Sequence, residues 1–140
     1  MDSKIVDFVE PYENEIVQIR TTVFVKEQNI SADLDFDGQD GSAIHVLVFN
    51  GVKPIATARM LEDGHIGRLA VLKTQRRKGA GSLVLKALIN EAKRREIKSV
   101  YLASQLHAAD FYQTQGFKTC GDVFMEVGIQ HIIMELYLDA

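Results

Sequence analysis

A loop with three successive cations and two glycines divides this chain into halves with different patterns. The loop spans residues 76–82 and reads Arg-Arg-Lys-Gly-Ala-Gly-Ser. Before it, short apolar segments alternate with turn signals, which predicts strands. After it, apolar side chains recur at helical spacing over residues 79–95, which predicts an amphipathic helix. Glycines ahead of a helix let backbone N–H groups converge on a ligand, and the helix N-terminus adds positive charge. We therefore predict that the loop binds a di- or triphosphate.

Two common phosphate-binding signatures do not fit this loop. A Walker loop needs a lysine followed by serine or threonine directly after its last glycine, and that order is absent. A dinucleotide fingerprint needs a third glycine at position 84, where the chain has Val84. A glycine-rich helix start with solvated cations remains an alternative, because short Gly-x-Gly matches are common.

The order of predicted elements indicates one α/β or α+β domain over residues 1–140. Turn signals at Asn50-Gly51 and at 62–64 separate three strands that should form an antiparallel meander. An acidic segment over 29–42 is expected to be a loop or a broken helix. The predicted strands are 4–9, 44–49, 54–61, 66–72, 99–103, 117–120 and 132–138. The predicted helices are 13–27, 79–95 and 108–115, the last ending at Gly116. The result is a mixed, mostly antiparallel sheet flanked by helices.

Composition limits the possible partners and location. The chain is 46% hydrophobic and 25% charged, which suffices for a core without disulfides. Its net charge of -3 provides no overall basic field to recruit nucleic acid. No segment approaches the roughly 20 apolar residues of a membrane span, and no signal peptide is recognisable. Cys120 is the only cysteine, which fits a reducing cytoplasm. We expect a cytoplasmic protein with no nucleic-acid or membrane partner.

Three segments resemble the GNAT superfamily of N-acetyltransferases. The 76–82 loop resembles its Gln/Arg-x-x-Gly-x-Gly/Ala signature, and residues 68–71 resemble its fourth strand, whose backbone pairs with the pantetheine arm of coenzyme A. Residues 109–117 resemble its Ala-x-x-Phe-Tyr-x-x-x-Gly-Phe segment. The element order also matches, so the resemblance covers nearly the whole chain. It implies a GNAT-like fold with splayed fourth and fifth strands, and an acetyltransferase that uses acetyl-CoA.

Two further segments are similar to small bacterial members of that superfamily. They are Arg20-x-x-Val-Phe-Val-x-Glu27-Gln and Gly128-Ile-Gln130-His131-Ile. The second is similar to a Gly-Ile-Pro-His motif and to the C-terminal segment of glyphosate N-acetyltransferase, whose histidine is assigned a catalytic role. The chain departs from the subgroup at Gln130, where proline is usual, and over 102–105, where Leu-Asn-Ala-Gln is common. The missing asparagine bears on one contact to the cofactor arm.

The resemblance also implies the site residues. A backbone N–H near Ala70 and Val71 would polarise the thioester carbonyl. Tyr112 would be the general acid beside the departing sulfur, and its alternative is a core aromatic. His131 would be a general base or a substrate-polarising group, because histidine exchanges protons near neutrality. The alternative for His131 is a strand-end histidine bonded to a backbone carbonyl. The implied acetyl-CoA contacts are Leu69, Ala70, Val71, Arg76, Arg77, Lys78, Gly79, Ala80, Gly81, Ser82, Gln105, Phe111 and Tyr112.

The acceptor site is the least determined part of the sequence. Glu27, with Asp35 and Asp37, could recognise a cationic amine, although a solvated acidic surface is the commoner explanation. Arg20 could hold a substrate carboxylate, or lean inward and bond to the acidic loop. His131 is a third candidate for substrate binding. The remaining histidines are interpreted as a satisfied core or edge residue (His45), an exposed residue beside a turn (His65), and a cap or cleft residue (His107). No Cys/His set has metal-ligand spacing, so we expect no metal.

These features predict an acetyl-CoA-dependent enzyme that acetylates the primary amine of a small molecule by direct attack in a ternary complex. Two alternatives stay open: a protein or peptide N-acetyltransferase, and a non-catalytic module that binds coenzyme A. The segment 132–138 is strongly apolar, so a second subunit covering one of its faces is a further hypothesis, which predicts a homodimer.

Overall fold

Strands and helices alternate in the computed structural model, which describes residues 1–138. The strands are β1 Asp2–Val6, β2 Ile44–Asn50, β3 Lys53–Met60, β4 Ile66–Val71, β5 Ser99–Gln105, β6 Lys118–Glu126 and β7 Ile129–Tyr137. The α-helices are α1 Tyr12–Arg20, α2 Ala32–Asp35, α3 Ala80–Arg94 and α4 Ala109–Thr114, and a π-helix, Thr21–Glu27, continues α1. Within the described residues, no helix combines the length and hydropathy needed to cross a bilayer.

The strands form two antiparallel sheets. One has the order β1-β2-β3-β4 and the other the order β5-β7-β6. The predicted meander of β2, β3 and β4 is therefore confirmed. Asn50 pairs with Lys53, so the first hairpin closes through a two-residue turn that begins at Gly51 with φ of +64°. Glycine adopts this conformation without strain, which is why the Asn-Gly signal located the turn correctly.

The last two strands are longer than predicted. β6 begins at Lys118 and runs to Glu126, and β7 begins at Ile129. Most β6 side chains are exposed, and a bulge lies between Cys120 and Phe124, so the strand lacks a clean alternation of apolar residues. The ladder with β7 holds it in place instead. Local hydrophobicity marks buried strands well and exposed edge strands poorly.

Helices cover both faces of the first sheet, which explains the unbroken apolar run in β2. Val46 and Val48 face a core that also contains Val84, Leu85 and Leu88 of α3. Leu47, between them, faces a second core with Ile16, Ile19 and Val23 from α1 and the π-helix. Successive strand residues point to opposite faces, so a strand that is buried on both faces needs apolar residues throughout.

Among residues 1–138, backbone pairing joins the two sheets at one end of the β4–β5 pair. His65 and Tyr101 form a parallel bridge, and the Tyr101 N–H donates to the Gly64 carbonyl at 3.1 Å. Gly64 has φ of +93°, and a Cβ there would lie 2.5 Å from the Ser99 carbonyl oxygen, so a side chain does not fit. Beyond this point no ladder joins β4 to β5 within residues 1–138. The predicted splay of the fourth and fifth strands is confirmed, and it opens a cleft.

Candidate active site

The splay between β4 and β5 opens into a cavity of about 830 Å³. Its walls are β4, the end of β5, the 76–82 loop, the end of the π-helix, α4 and the β6–β7 hairpin. Segments that are far apart in sequence therefore face one space. Such a volume lies in the range of small-molecule sites.

The 76–82 loop presents backbone donors at the start of α3. The first hydrogen bond there runs from Leu83 N to the Gly79 carbonyl at 3.1 Å. The amides of residues 80–82 have no acceptor within residues 1–138. Gly79 has φ of +91°, which turns the chain into the helix at no steric cost. Unpaired N–H groups and the helix dipole are favourable to an anion, and the exposed Arg77 and Lys78 add two cations.

Gly81 lets α4 approach α3 closely. A Cβ on Gly81 would lie 3.2 Å from the ring of Phe111, tighter than ordinary van der Waals contact. Gln115 Nε2 donates to Ser82 Oγ at 2.8 Å and joins the same two helices. The short helix that carries Phe111 and Tyr112 is thus held against the 76–82 loop. Its residues line the cavity beside that loop.

Arg76 is committed to partners inside the protein. Its Nε donates to the Val71 carbonyl at 3.0 Å, and both terminal nitrogens bond the Glu27 carboxylate at 2.7 Å. Hydrogen bonds from Arg76 hold the pKa of Glu27 below its ordinary value. The pair ties the end of the π-helix to the loop. Two of the predicted site residues therefore neutralise each other, which spacing in the sequence did not reveal.

The backbone of β4 is irregular where it lines the cleft. Thr57 pairs with Ala70 and Arg59 with Gly67, so one residue of β3 faces two of β4, and Arg68 has φ of +55°. This β-bulge twists the strand away from its neighbour. Further along, Leu72 N–H donates to the Ile55 carbonyl. Because strand amides alternate in direction, the Val71 N–H points to the opposite side, toward the cleft.

Tyr112 is half-buried in an aromatic cluster at the cleft. Its ring meets Phe111 edge-on at 5.1 Å between centroids and Phe117 at 6.0 Å. Burial raises the pKa of Tyr112 to about 12, so the hydroxyl stays protonated at neutral pH. Tyr112 therefore packs against core aromatics and also lines the cleft, and its role as a general acid stays a prediction.

His131 lies in β7 beside the end of β5 and lines the cleft. It pairs with Gln105 across the ladder, and its ring stacks on Phe124 at 5.9 Å. Its Nδ1 is 2.8 Å from the Ile129 carbonyl oxygen, which can only accept, so Nδ1 carries the proton. In the neutral ring Nε2 then has a free lone pair, and this atom is 3.7 Å from Glu126 Oε2. The backbone contact fixes the tautomer that a base requires.

The cleft contains residues that sequence reasoning missed or placed wrongly. His65 was predicted to be exposed, but it is half-buried, stacks on Tyr101 at 4.7 Å and lines the cavity. Burial lowers the pKa of His65. Gln28 was overlooked; it accepts a hydrogen bond of 3.0 Å from Gln105 Nε2. Glu126 was overlooked too, although the Val-Gly pair that follows it is a usable turn signal. His107 lines the cleft, one of the two options predicted.

The acidic segment over 29–42 is solvated only in part. Asp35 and Asp40 are buried, and Arg20 binds both: its Nε is 3.2 Å from Asp35 Oδ2 and its Nη1 is 2.7 Å from Asp40 Oδ1. Arg20 is 1% exposed and does not line the cavity, so its inward-leaning option describes the structure. Arg59 joins the cluster through Asp40 at 3.0 Å and through Asp37 at 2.7 Å.

Charge balance explains the titration of this cluster. Burial raises the pKa of Asp35 despite two nearby arginines. Burial alone would also raise the pKa of Asp40, but Arg20 and Arg59 together hold it below its ordinary value. Hydrogen bonds from Arg59 lower the pKa of Asp37. The expectation of a solvated surface missed Asp35 and Asp40 because their pairing partners come from α1, β3 and β4, which no local pattern connects.

His45 only partly meets its expectation as a satisfied core histidine. It is fully buried, and its Nε2 bonds the Asp40 carbonyl at 2.9 Å. Its Nδ1 has no partner within the described part of the chain, and its ring stacks on Phe8. Burial lowers the pKa of His45, since a charged ring would lack a second acceptor.

Comparisons with known proteins agree on one family. A family model described as the acetyltransferase (GNAT) domain matches residues 9–138. The uncharacterized N-acetyltransferase YjcF of Bacillus subtilis is 33% identical over 120 residues, which is 83% of this chain and 86% of that protein. ElaA of Escherichia coli is 35% identical over 127 residues, with 85% and 83% covered.

Solved structures give the same result. The crystal structure of Escherichia coli ElaA superposes with a TM-score of 0.86 at 29% identity, covering 96% of this chain and 99% of that one. An acyl-CoA N-acyltransferase from Pseudomonas aeruginosa superposes with a TM-score of 0.85 at 27% identity, again covering 96% and 99%.

Proposed function

This chain belongs to the GNAT acetyltransferase family, and on that premise we propose that it acetylates the primary amine of a small molecule by direct attack in a ternary complex. The predicted fold and family are confirmed, and acetyl-CoA is the co-substrate. One observation carries the finer proposal. The donor-lined start of α3, Tyr112 and His131 all line one cavity, and the Nδ1 contact of His131 leaves its Nε2 as the acceptor.

The residues at the start of α3 fit the diphosphate of the co-substrate. The amides of residues 80–82 supply donors, Arg77 and Lys78 supply charge, and Gly79 leaves room for close approach. Arg76 acts mainly through Glu27, as a brace between the loop and the π-helix. The remaining contacts that we propose run along the pantetheine arm, from Leu69, Ala70, Val71, Gln105 and Phe111.

Proton transfer divides between two side chains. His131 Nε2 takes one proton from the acceptor ammonium, and the neutral nitrogen attacks the thioester carbon while the Val71 N–H stabilises the oxyanion. The carbon–sulfur bond breaks and the sulfur takes the Tyr112 proton. The nitrogen's second proton returns to the tyrosinate. The products are an amide, a thiol and one proton held on His131. The pKa of Tyr112, raised by burial, keeps that donor protonated until the sulfur leaves.

The size of the cavity and the burial of His131 favour a small-molecule acceptor over a protein acceptor. The space of about 830 Å³ is shared by the co-substrate arm and the acceptor, and His131 is 5% exposed within it. A small amine can reach a buried base through such a cleft. A protein acceptor would have to insert a side chain, which peptide assays can test.

Three wider parts of the proposal concern the whole chain. We propose that residues 1–140 act as one acetyltransferase domain. We propose a cytoplasmic location, which the single, exposed Cys120 supports because an unpaired thiol suits a reducing compartment. We also propose a homodimer, supported by the apolar β7, where Tyr137 is 71% exposed. Sedimentation velocity tests the dimer, and a monomer at high concentration would count against it.

The test is acetyl-CoA turnover over a panel of amines and a panel of peptides, with free coenzyme A measured by chromatography. Tyr112→Phe is expected to lower turnover about 10- to 1000-fold with co-substrate binding kept, as is typical of a lost general acid. His131→Gln should lose the acidic limb of the pH–rate profile. Tyr137→Phe is the matched control and should behave as wild type. Co-substrate binding without turnover on any acceptor would favour the non-catalytic module, and turnover confined to peptides would favour the protein acetyltransferase.

A further inference from the structure

Three carboxylates line the cleft, and they differ in how their charge is balanced. Glu27 forms a bidentate pair with Arg76. Asp35 is buried and lies 3.2 Å from both Arg20 and Arg68. Glu126 has no lysine or arginine within salt-bridge distance in residues 1–138, and its one ionic neighbour is His131. Among the described residues that line the cleft, Glu126 is thus the carboxylate whose negative charge has no arginine or lysine partner.

The cations of the cleft also differ in whether they are paired. Arg68 and Arg76 are paired with carboxylates, whereas Arg77 of the 76–82 loop has no carboxylate partner among the described residues. The unpaired positive charge thus lies in the loop that we assign to the diphosphate. The unpaired negative charge lies in the β6–β7 hairpin. One cleft offers an anion site and a cation site on different segments.

The hairpin geometry holds Glu126 next to His131. Glu126 is the last residue of β6 and pairs with Ile129, and Val127 and Gly128 form the turn with φ of +47° and +75°. The Ile129 carbonyl in turn accepts the Nδ1 proton of His131. The same hairpin therefore positions the carboxylate and orients the ring.

The distance between the two groups suits a shared ligand. Glu126 Oε2 is 3.7 Å from His131 Nε2, beyond a direct hydrogen bond. Both atoms are acceptors when the ring is neutral. An ammonium has three donors in different directions, so one can reach the carboxylate and another the imidazole nitrogen. The Glu126 side chain is 55% exposed, which leaves it open to a ligand.

We infer that Glu126 is the residue that binds the acceptor ammonium, and that it selects amines with a net positive charge over zwitterions and uncharged analogues. This rests on the proposed function, and it adds the charge class of the acceptor. Glu126 holds the ammonium against His131 Nε2 and then stabilises the imidazolium that forms. A carboxylate on the acceptor close to its amine is repelled. The other histidines that line the cleft, His65 and His107, supply no second carboxylate. Asp63, which acts on the pKa of His65 as Glu126 does, does not line the cleft and accepts from the Tyr101 hydroxyl.

Glu126→Gln tests the inference because it removes the charge and keeps the shape. Glu62→Gln, on an exposed turn, is the matched control with the same change in net charge. Each of two series of probes offers, on one apolar skeleton, an amine, the same amine with an adjacent carboxylate, and a hydroxyl in place of the amine: tyramine, tyrosine and tyrosol, and hexylamine, 2-aminoheptanoate and hexanol. Binding to the protein loaded with coenzyme A is measured by calorimetry, and turnover is measured with acetyl-CoA. Melting temperature reports on folding.

Wild type and Glu62→Gln should bind the two cationic amines about tenfold or more tightly than their zwitterionic and alcohol counterparts, as expected for a charged hydrogen bond. Glu126→Gln should lose about tenfold for the amines only, with a raised amine KM, an unchanged acetyl-CoA KM and an unchanged melting temperature. Equal loss for alcohols, unchanged amine binding, or no binding of either amine by wild type would overturn the inference. Amine binding that depends on Glu126 without turnover would uphold it and refute the proposed transfer.

Discussion

Replacing Arg20 by methionine separates its two predicted roles. Methionine keeps a long apolar stem in the core but removes every donor. In the structure Arg20 is 1% exposed, bonds Asp35 and Asp40, and lies 4.6 Å over the ring of Phe36. The substitution therefore leaves two buried carboxylates with fewer cations, without opening a large void.

The magnitude follows from the bonds lost. Arg20 makes charged hydrogen bonds of 3.2 Å and 2.7 Å to the two carboxylates, and one of 2.7 Å to the Asp35 carbonyl. Breaking a buried ion pair on one side costs about 3–5 kcal/mol. Arg59 and Arg68 remain beside the carboxylates, which favours the lower end, about 3 kcal/mol. For a chain of this length, that loss lowers the melting temperature by roughly 10 °C.

Urea denaturation followed by circular dichroism at pH 7.5 measures the loss, and calorimetry measures coenzyme A binding in the folded variant. Arg94→Gln, which breaks an exposed pair with Glu91, should leave the unfolding free energy unchanged within error. Adding Asp40→Asn to Arg20→Met should restore part of the stability, since the stranded charge is removed. A loss of unfolding free energy below about 1 kcal/mol, together with a raised acceptor KM, would refute a structural role. Such a result would favour the alternative in which Arg20 binds the substrate.

Three more predictions test other parts of the structure. Gly64→Ala should lower stability by about 2 kcal/mol or more in urea denaturation, because it combines φ of +93° with a Cβ 2.5 Å from the Ser99 carbonyl oxygen; a neutral effect would show that the closed end of the cleft can move. Burial lowers the pKa of His45 in the folded state. The neutral His45 therefore makes its full contribution to the free energy of unfolding above the ordinary unfolded pKa of about 6.5, and this contribution is lost as the pH falls through the folded pKa. His45→Phe should flatten the stability difference between pH 7.5 and 5.5, and an unchanged slope would contradict this assignment. Arg77→Ala should weaken coenzyme A binding about tenfold and reduce its salt dependence, while Arg94→Ala leaves both unchanged; equal effects would mean a general charge response.

Much of the architecture was accessible from local pattern. The apolar run of β2 and the Asn-Gly turn predicted the meander, and the spacing of Val84, Leu85 and Leu88 predicted the buried face of α3. These succeed because strand and helix periodicity are properties of neighbouring residues. The predicted length of β6 was wrong because its ladder with β7, rather than its own hydrophobicity, holds this strand in place.

The loop at 76–82 was predicted only in part from the sequence. Its glycines, its cations and the helix after it indicate an anion site, since the required conformations and donors are local. The sequence did not reveal that Arg76 is already bound to Glu27, which is 49 residues away in the chain. The sequence around a charged residue does not indicate whether its side chain is free or paired in the fold.

By itself, the sequence determined the family and the order of elements, because both are carried by short segments whose residues lie within a few positions of one another. The prediction of an anion-binding loop has the same local origin. Only the tertiary structure decided which charges stay uncompensated. Arg20, Arg59 and Arg68 come from α1, β3 and β4 and neutralise the acidic segment, whereas Glu126 is left facing His131. Pairing is set by distances across the fold, and these distances distinguish a structural carboxylate from one that can meet a ligand.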